Sequence, residues 1–368
     1  MPSPHPITDL FNAITSGQSP TTEINALQRH FQHEGFFQLA VAQEARRALL
    51  RQHFSQDFRG KVFLTQRTLG RSEIQRAGIE VHFVQDGALA GLGASGALRN
   101  AILVLNNNDI MQTNSLDAYL QFFQNSPETI VALWDFDNHH WYPLSAFFAA
   151  HSDIYFPCHP DFFQLLSRYN RCTRGPVNSG VLQWSRSFLV ANLDTIATTA
   201  RSDQPLGMHI GYEQFRFRNK VINTLAQHYP ATVGFQNATF HNLSEADRLR
   251  QWCGHKAHWI VPVMNDIPTR MFDALTTGGV PIVPDCLRSL PNVAAIAPHA
   301  VFYGATDIVQ PHGIVEAANR KFDQGGTEQI LERHRIGMEQ HHVSARIETI
   351  LNLVFEAFEI PHASCRGA

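Results

Sequence analysis

The stretch NDIPTRMFDALTTGGVPIVPD, residues 265–285, places a polar turn, a helix start, a helix stop and a buried strand in succession. Pro268 suits the first turn of a helix. The i, i+3, i+4 spacing of a helix face is carried by Met271, Ala274 and Leu275. Gly278-Gly279 ends the helix, and Val280 to Val283 has the composition of a buried strand. The pattern predicts one αβ unit of an α/β protein.

The first turns of this predicted helix carry polar side chains. Thr269, Arg270 and Asp273 lie on or near them. Free N–H groups and the positive end of the helix dipole favour an anion such as a phosphate there. Arg270 adds a cation, so the sequence predicts an anion site at the helix start. An ordinary αβ unit with no ligand is the alternative.

The order of these features resembles the donor-site signature of GT-B glycosyltransferases. That signature has an acidic residue, a Gly-Leu-Pro turn, a helix with a second acidic residue, and Gly-x-Pro-Val-Val. Asp273 matches the second carboxylate, and the resemblance implies that it contacts the ribose of a nucleotide-sugar. Asn265 takes the place of the first carboxylate, which in retaining members touches the donor sugar. The amide leaves the stereochemistry of transfer open.

The run from His255-Lys256 through Thr269-Arg270 to Gly279-Val280-Pro281 is also similar to the donor region of α-1,3-fucosyltransferases. In that family a Lys and a Thr-Glu-Lys turn bind the nucleotide. The resemblance implies that Lys256 and Arg270 hold phosphate, and that Asn265 and Thr269 bind the sugar or its phosphate. Arg270 stands where that family has Glu.

Composition fits an enzyme of two domains. The chain has 368 residues, of which 44% are hydrophobic and 17% charged, enough for two cores of ordinary size. A net charge of −3 without long Lys/Arg runs argues against a nucleic-acid partner. Without a signal peptide or an apolar run near the ~20 residues of a membrane span, we expect a cytoplasmic protein with peripheral membrane contact at most. Five scattered cysteines predict reduced thiols.

Strand and helix patterns alternate along the chain, which predicts an α/β fold. Strands are predicted at 61–64, 81–84, 101–105, 129–134, 153–157, 181–184, 206–212, 231–236, 258–263, 281–284 and 300–303. A polar segment ending in proline, 201–205, has the composition of an interdomain linker. The GT-B resemblance implies two Rossmann-like domains facing across a cleft. We assign residues 1–202 to the acceptor side, with a helical N-terminal extension, and 206–344 to nucleotide-sugar binding. Residues 345–368 form a helix that can return to the first domain.

The segment Gly211 to Lys220 follows the first strand of the second domain and contains three cations. Fixed Arg or Lys donors stabilise a diphosphate leaving group as its negative charge develops. Arg218 and Lys220 are the preferred phosphate ligands, and Tyr212 joins the donor-binding set. A solvated basic helix face is the alternative.

The segment Trp134 to Trp141 follows a predicted strand of the first domain, where open α/β sheets place their sites. If transfer inverts configuration, Asp137 or His139 is the base that takes the proton of the acceptor hydroxyl. Asp135 completes an Asp-x-Asp pattern that resembles the metal motif of GT-A glycosyltransferases. The GT-B-like second half argues against that role, and we expect no metal. A structural polar turn is the alternative.

Two further patterns have ordinary interpretations. Gly91 to Gly96 matches G-x-G-x-x-G, but it does not directly follow a strand, so we expect a loop on the acceptor side rather than a dinucleotide site. The pair His341-His342 lacks metal-ligand spacing and predicts a solvated surface.

The sequence therefore predicts a glycosyltransferase that moves a sugar from a nucleotide-sugar donor to a hydroxyl of a glycan, lipid-linked or protein acceptor. No cofactor beyond that co-substrate is expected. The alternatives are a GT-B-fold sugar-nucleotide epimerase and a non-catalytic nucleotide-sugar-binding protein, with a dehydrogenase more distant. The donor, the acceptor and the oligomeric state stay open.

Overall fold

The computed structural model describes residues 34–85, 88–112, 116–139, 141–236, 243–264 and 266–361. The chain divides into two compact units. The first unit comprises residues 1–178 and 347–368, and the second unit comprises residues 179–346. Each unit has its own hydrophobic core.

The first unit is built on one parallel sheet. Its strands are β1 (Lys61–Thr65), β2 (Glu80–Val84), β3 (Ala101–Asn106), β4 (Thr129–Asp135) and β5 (Ile154–Pro157). Its helices are α1 (Glu34–Asp57), α2 (Gln66–Leu69), α3 (Leu89–Ser95), α4 (Asn107–Gln112), α5 (Leu116–Asn125), α6 (Tyr142–Ala150) and α7 (Phe163–Leu166). The strand order is β2-β1-β3-β4-β5. Every residue of β3 and β4 is buried, as expected of parallel strands covered on both faces.

The second unit repeats this topology. Its strands are β6 (Gly207–His209), β7 (Val233–Phe235), β8 (Ala257–Trp259), β9 (Val280–Pro284) and β10 (Val301–Tyr303). Its helices are α8 (Arg186–Ala191), α9 (Leu193–Thr198), α10 (Arg216–His228), α11 (Glu245–Cys253), α12 (Thr269–Thr276), α13 (Pro291–Ala294), α14 (Ala305–Val309) and α15 (His312–Gln340), which bends at Gly326. Strands β7-β6 and β10-β9-β8 are joined by a parallel bridge between Leu206 and His258. The resulting order is β7-β6-β8-β9-β10, the 2-1-3-4-5 order of doubly wound sheets.

The boundary of the second unit differs from the predicted linker at 201–205. Arg201 donates to the carbonyl oxygens of His255 (3.2 Å) and Thr277 (2.7 Å), and Ser202 forms a parallel bridge with His255. This polar segment is therefore an internal turn of the second unit, which begins at residue 179. A proline-ended polar stretch suits a surface turn as well as a linker, and the two cannot be told apart by composition.

The last helix, α16 (Val343–Ala357), leads from the second unit into the first, because residues 347–368 belong to the first. Within the first unit the Phe355 ring packs edge-on against Phe58, with centroids 5.7 Å apart, and lies 4.4 Å from the Arg76 guanidinium. Arg51 donates to the Ala357 carbonyl oxygen at 3.0 Å. The C-terminal segment is thus part of the core of the first unit.

The structure differs from the expectations for the glycine-rich segment and for the pair His341-His342. Residues 91–95 of the glycine-rich segment lie in α3, and Gly93 and Gly96 line a cavity with Thr129, the first residue of β4, so the segment lies near the amino end of that strand. His341 and His342 are buried. Cys158, Cys172 and Cys253 are buried thiols that are not in disulfides, and Cys286 is an exposed thiol that is not in a disulfide. Among the described residues, no helix is long and apolar enough to cross a membrane.

Candidate functional site

The topological switch point of the second unit lies where β6 and β8 end, since the chain continues from them to opposite sides of the sheet. Arg218, on the first turn of α10, joins the two strand ends. Its Nε donates to the Val261 carbonyl oxygen at 3.1 Å and its Nη1 to the Ile210 carbonyl oxygen at 2.7 Å. The side chain is buried, and desolvation lowers the pKa of its guanidinium. The loops after β6 and β8 are therefore fixed around a buried cation.

Arg270 lies near both Arg218 and Arg248, and we call Arg218, Arg248 and Arg270 the arginine cluster. Arg270 is on the first turn of α12, with its guanidinium 5.6 Å from the centroid of the Trp252 ring. Burial lowers the pKa of Arg270 to about 10; the carboxylate of Asp273 opposes that shift, and the charges of Arg218 and Arg248 add to it. Such an accumulation of like charge in a desolvated place favours a bound anion.

Asp273 is the acidic residue next to this cluster. It is fully buried, and one carboxylate oxygen accepts a hydrogen bond from Gln183 Nε2. The other oxygen, Oδ1, has no hydrogen-bond partner among the described residues. Burial raises the pKa of Asp273 to about 7, against the hydrogen bond from Gln183 and the charge of Arg270. The carboxylate is thus a charge partner of Arg270 and is not exposed to a ligand in this structure.

A cavity of about 810 Å³ adjoins the arginine cluster through Arg218. Its wall is mostly apolar and aromatic, and it is formed by α10, α14 and the carboxyl ends of β8, β9 and β10. Residues of the wall include Phe215, Arg216, Phe217, Val221, Pro262, Met264, Tyr303 and Ile308. Phe217 is 81% exposed at the mouth. An apolar cavity beside a fixed guanidinium suits a ligand with a planar apolar part and an anionic part.

Sequence reasoning missed two residues of this region. His209, the last residue of β6, is fully buried, and neither ring nitrogen has a partner among the described residues. Burial lowers its pKa well below the usual value, and the charges of Arg270 and Arg218 do so further, so its ring is neutral. Arg248 was missed because it lies in a polar helix, α11, whose sequence has no distinguishing signal.

The remaining predicted donor ligands have different surroundings. The Tyr212 ring lies 5.5 Å from the Arg218 guanidinium, and Thr269 begins α12. Lys220 is exposed and does not line the cavity. Asn265 lies outside the described residues.

The surroundings of Lys256 do not favour the predicted role as a donor ligand. Its ammonium forms ion pairs with Asp203 (2.7 Å) and Asp323 (2.8 Å). It directly precedes β8, at the amino end of the strand, whereas Arg218 lies at the carboxyl end. Both carboxylates are distant in sequence, so local sequence does not reveal the pairing.

In the first unit, Asp135 is a structural residue. It is fully buried at the end of β4, where its Oδ2 accepts from the Tyr155 hydroxyl (2.6 Å) and its Oδ1 accepts from the Asp137 amide (2.9 Å). Burial raises the pKa of this carboxyl as well. With both oxygens engaged and no exposure, it is a poor candidate for the catalytic role predicted for it.

Asp137 is the better candidate for a general base. Its Oδ2 accepts a hydrogen bond from Asn107 Nδ2 at 2.9 Å, and Asn107 also accepts from the Phe136 amide at 2.8 Å. Burial, and then the charge of Asp135, raise the pKa of Asp137 to about 6. A carboxylate with a pKa near the working pH is suited to proton abstraction. Asn107, which holds this side chain, was missed because it follows a different strand.

His139, the other predicted base, is 6% exposed. Its ring packs edge-on against that of His159, with centroids 4.3 Å apart. Burial lowers the pKa of His159 to about 4, so that neighbour is neutral. Asp137 is half-buried, whereas His139 is buried. The carboxylate of Asp137 is therefore more accessible to a substrate than the imidazole of His139.

No family model, curated protein or solved structure matches this chain.

Proposed function

We propose that the chain is a GT-B glycosyltransferase that transfers a sugar from a nucleotide-sugar to an acceptor hydroxyl. The second unit binds the donor, and the first unit supplies Asp137 as the base. The expectation that transfer needs no metal belongs to this proposal.

The observation that carries the proposal is the arginine cluster at the switch point of the second unit. The charges of Arg218 and Arg248 both act on Arg270 there. Asp266 acts on Arg218, and Asp273, with its pKa of about 7, acts on Arg270. Arg270 is therefore a desolvated cation with two further cations near it, which favours an anion at this place. Arginine forks match phosphate oxygens, and a diphosphate gains charge as the glycosidic bond breaks.

The cavity next to Arg218 supports a nucleotide rather than inorganic phosphate. Its volume of about 810 Å³ is in the range of small-molecule sites and exceeds what a phosphate needs. Its apolar wall suits a nucleobase, and Arg218 joins it to the cluster that would bind the diphosphate. The shared 2-1-3-4-5 strand order of the two units is in keeping with a pair of Rossmann-like domains.

The experiment is a turnover assay with UDP-, GDP-, CMP- and dTDP-sugars, each with a mixture of glycan, lipid-linked and peptide hydroxyl acceptors. We expect nucleotide release from one donor class, dependent on an acceptor, with the sugar found on that acceptor. Conversion of the donor alone into a different sugar would instead establish an epimerase. Binding without release would establish a non-catalytic protein.

Matched variants on one helix connect the activity to the cluster. Arg248→Ala removes a member of the cluster, whereas Arg250→Ala, two residues along α11, removes an exposed arginine paired with Asp247. We expect the first to lower kcat/KM about ten- to hundredfold, the value of a charge-assisted hydrogen bond, and the second to leave it unchanged. Equal effects of the two variants would contradict the assignment of the site.

A further inference from the structure

The loops that follow β4 and β5 in the first unit are held together by one buried side chain, Asn138. Its Nδ2 donates to the carbonyl oxygens of His159 (2.9 Å) and Asp161 (2.8 Å), and its Oδ1 accepts from the His159 amide (2.9 Å). The side chain is fully buried. Asp137 directly precedes Asn138. These hydrogen bonds therefore hold the loop after β5 in a fixed position relative to the candidate base.

The second loop carries Phe162 in a left-handed backbone conformation, with φ 58° and ψ 6°. This conformation is unfavourable for a residue with a bulky side chain, and such strain is concentrated at functional sites. The ring is 40% exposed and lies against Tyr142, with centroids 5.2 Å apart and planes inclined by 49°. Tyr142 is itself fixed by a hydrogen bond from its hydroxyl to that of Tyr169, at 3.3 Å. The strained backbone therefore presents an aromatic surface that its surroundings hold in place.

We propose that Tyr142 and Phe162 form an aromatic platform that binds a pyranose ring of a carbohydrate acceptor. The face of a sugar ring presents C–H groups that pack on an aromatic ring, and its rim presents hydroxyls that need polar partners. Asp161, Gln164 and Arg168, which are exposed and close to Phe162 in sequence, offer carboxylate, amide and guanidinium groups. This mixture fits a glycan better than a lipid chain, which needs continuous apolar surface. The acceptor role rests on the proposed function, whereas carbohydrate binding does not.

The test is binding of fluorescently labelled protein to an array of immobilised mono- and oligosaccharides in the absence of nucleotide. The informative variant is Phe162→Asn, because asparagine is enriched in the left-handed region and should keep the loop conformation. The control is Leu165→Asn, which makes the same substitution at another exposed apolar residue, 42% exposed, on α7. Thermal melts of both variants check that they fold.

We expect wild-type protein to bind a subset of the glycans, Phe162→Asn to weaken that binding at least tenfold, and Leu165→Asn to leave it within twofold. Binding of no carbohydrate, or equal binding by wild type and Phe162→Asn, would overturn the platform. Glycan binding without turnover of any donor would contradict only the glycosyltransferase proposal. Turnover with an acceptor KM that is unchanged in Phe162→Asn would contradict only the proposal of the aromatic platform.

Discussion

At the scale of single residues, the proposed transfer depends most on Asp137. The structure sets its pKa by burial and by the charge of Asp135, and the hydrogen bond from Asn107 opposes both. A carboxyl with a pKa of about 6 is mostly ionised at neutral pH and still basic enough to accept a proton. This is the combination that an inverting transfer requires.

We predict that kcat/KM falls as the pH drops below about 6, because protonation removes the base. Asp137→Asn should lower the rate about 10²- to 10⁴-fold and abolish this acidic limb. Asp135→Asn removes the charge that raises the pKa of Asp137, so it should shift the acidic limb to lower pH. If wild type has no acidic limb, or if Asp135→Asn leaves the limb where it is, another group is the base.

The same carboxyl makes a prediction about stability. Its folded-state pKa is raised from 3.8 to about 6, so the folded protein binds the proton more tightly than the unfolded chain. That contribution is fully present below pH 3.8 and is lost as the pH rises through 6. Asp137→Asn should therefore stabilise the first unit relative to wild type by about 1–3 kcal/mol at pH 8 and by much less at pH 4, measured by urea unfolding. A gain that did not depend on pH would contradict the burial of this charge.

Phe162 makes a second prediction at this scale. Relieving its left-handed conformation with Phe162→Gly should raise the free energy of unfolding by about 1 kcal/mol, since non-glycine residues pay roughly that cost there. Leu165→Gly, in α7, should lower it by about the same amount. If Phe162→Gly instead lowers the free energy of unfolding, the packing of the Phe162 ring contributes more to stability than its left-handed backbone conformation costs.

Residue roles could be predicted only where local sequence carries them. Asp137 follows a recognisable strand, and Arg270 follows a proline that begins a helix. Arg248, Asn107 and His209 reach their sites through tertiary contacts, which leave no local pattern. The ion pairs of Lys256 could not be predicted for the same reason, because the carboxylates that pair with it are distant in sequence.

At the scale of elements, α12 is the helix that positions the donor site, and its carboxyl end is held by three basic side chains. Arg333 Nε donates to the Gly278 carbonyl oxygen (2.9 Å), Arg201 Nη2 donates to that of Thr277 (2.7 Å), and His334 Nδ1 contacts that of Thr276 (2.6 Å). The guanidiniums of Arg201 and Arg333 lie 5.1 and 5.3 Å from the centroid of the Phe322 ring. Cations at this end also complement the helix dipole.

We predict that Arg333→Met lowers the free energy of unfolding by about 2–4 kcal/mol, because it leaves the buried carbonyl oxygen of Gly278 without its donor and removes a large buried side chain. Arg335→Met, two residues along α15, removes only exposed ion pairs with Glu332 and Glu339 and should leave the free energy of unfolding nearly unchanged. Urea unfolding of the two variants decides the matter. Similar losses would mean that the buried arginine does not hold α12.

The sequence predicted the elements with strong periodicity and missed those fixed by tertiary contacts. The strands at 101–105 and 129–134 were found because their runs of buried apolar residues are long. The predicted strand at 181–184 is a single bridge between Val181 and His342. Its apolar residues pack into the core of the second unit without a neighbouring strand, which periodicity cannot distinguish.

At the scale of the whole molecule, the chain folds as two units that differ in how continuous they are. The second unit is one uninterrupted segment, whereas the first is completed by residues 347–368. Val354, Phe355 and Phe358 of that segment are buried. The α/β class of the fold follows from the alternation of strands and helices, but the closing role of the C-terminal segment depends on contacts with residues hundreds of positions away.

We predict that truncation after Arg346 destabilises the first unit and leaves the second folded. The cut exposes apolar surface around Phe58 and removes the partner of Arg76. We expect two transitions in urea. Only the midpoint of the transition assigned to the first unit should be lower than in wild type. A single transition at the wild-type midpoint would contradict the role of the segment.

The central claim is that the arginine cluster of the second unit binds the diphosphate of a nucleotide. The most direct measurement is calorimetric titration with UDP, GDP, CMP and dTDP, in EDTA and in Mg²⁺, on wild type, Arg248→Ala and Arg250→Ala. The account predicts micromolar binding of one nucleotide without metal, weakened at least tenfold in Arg248→Ala and unchanged in Arg250→Ala. Binding of none of the four nucleotides, or binding that Arg248→Ala leaves intact, would contradict it.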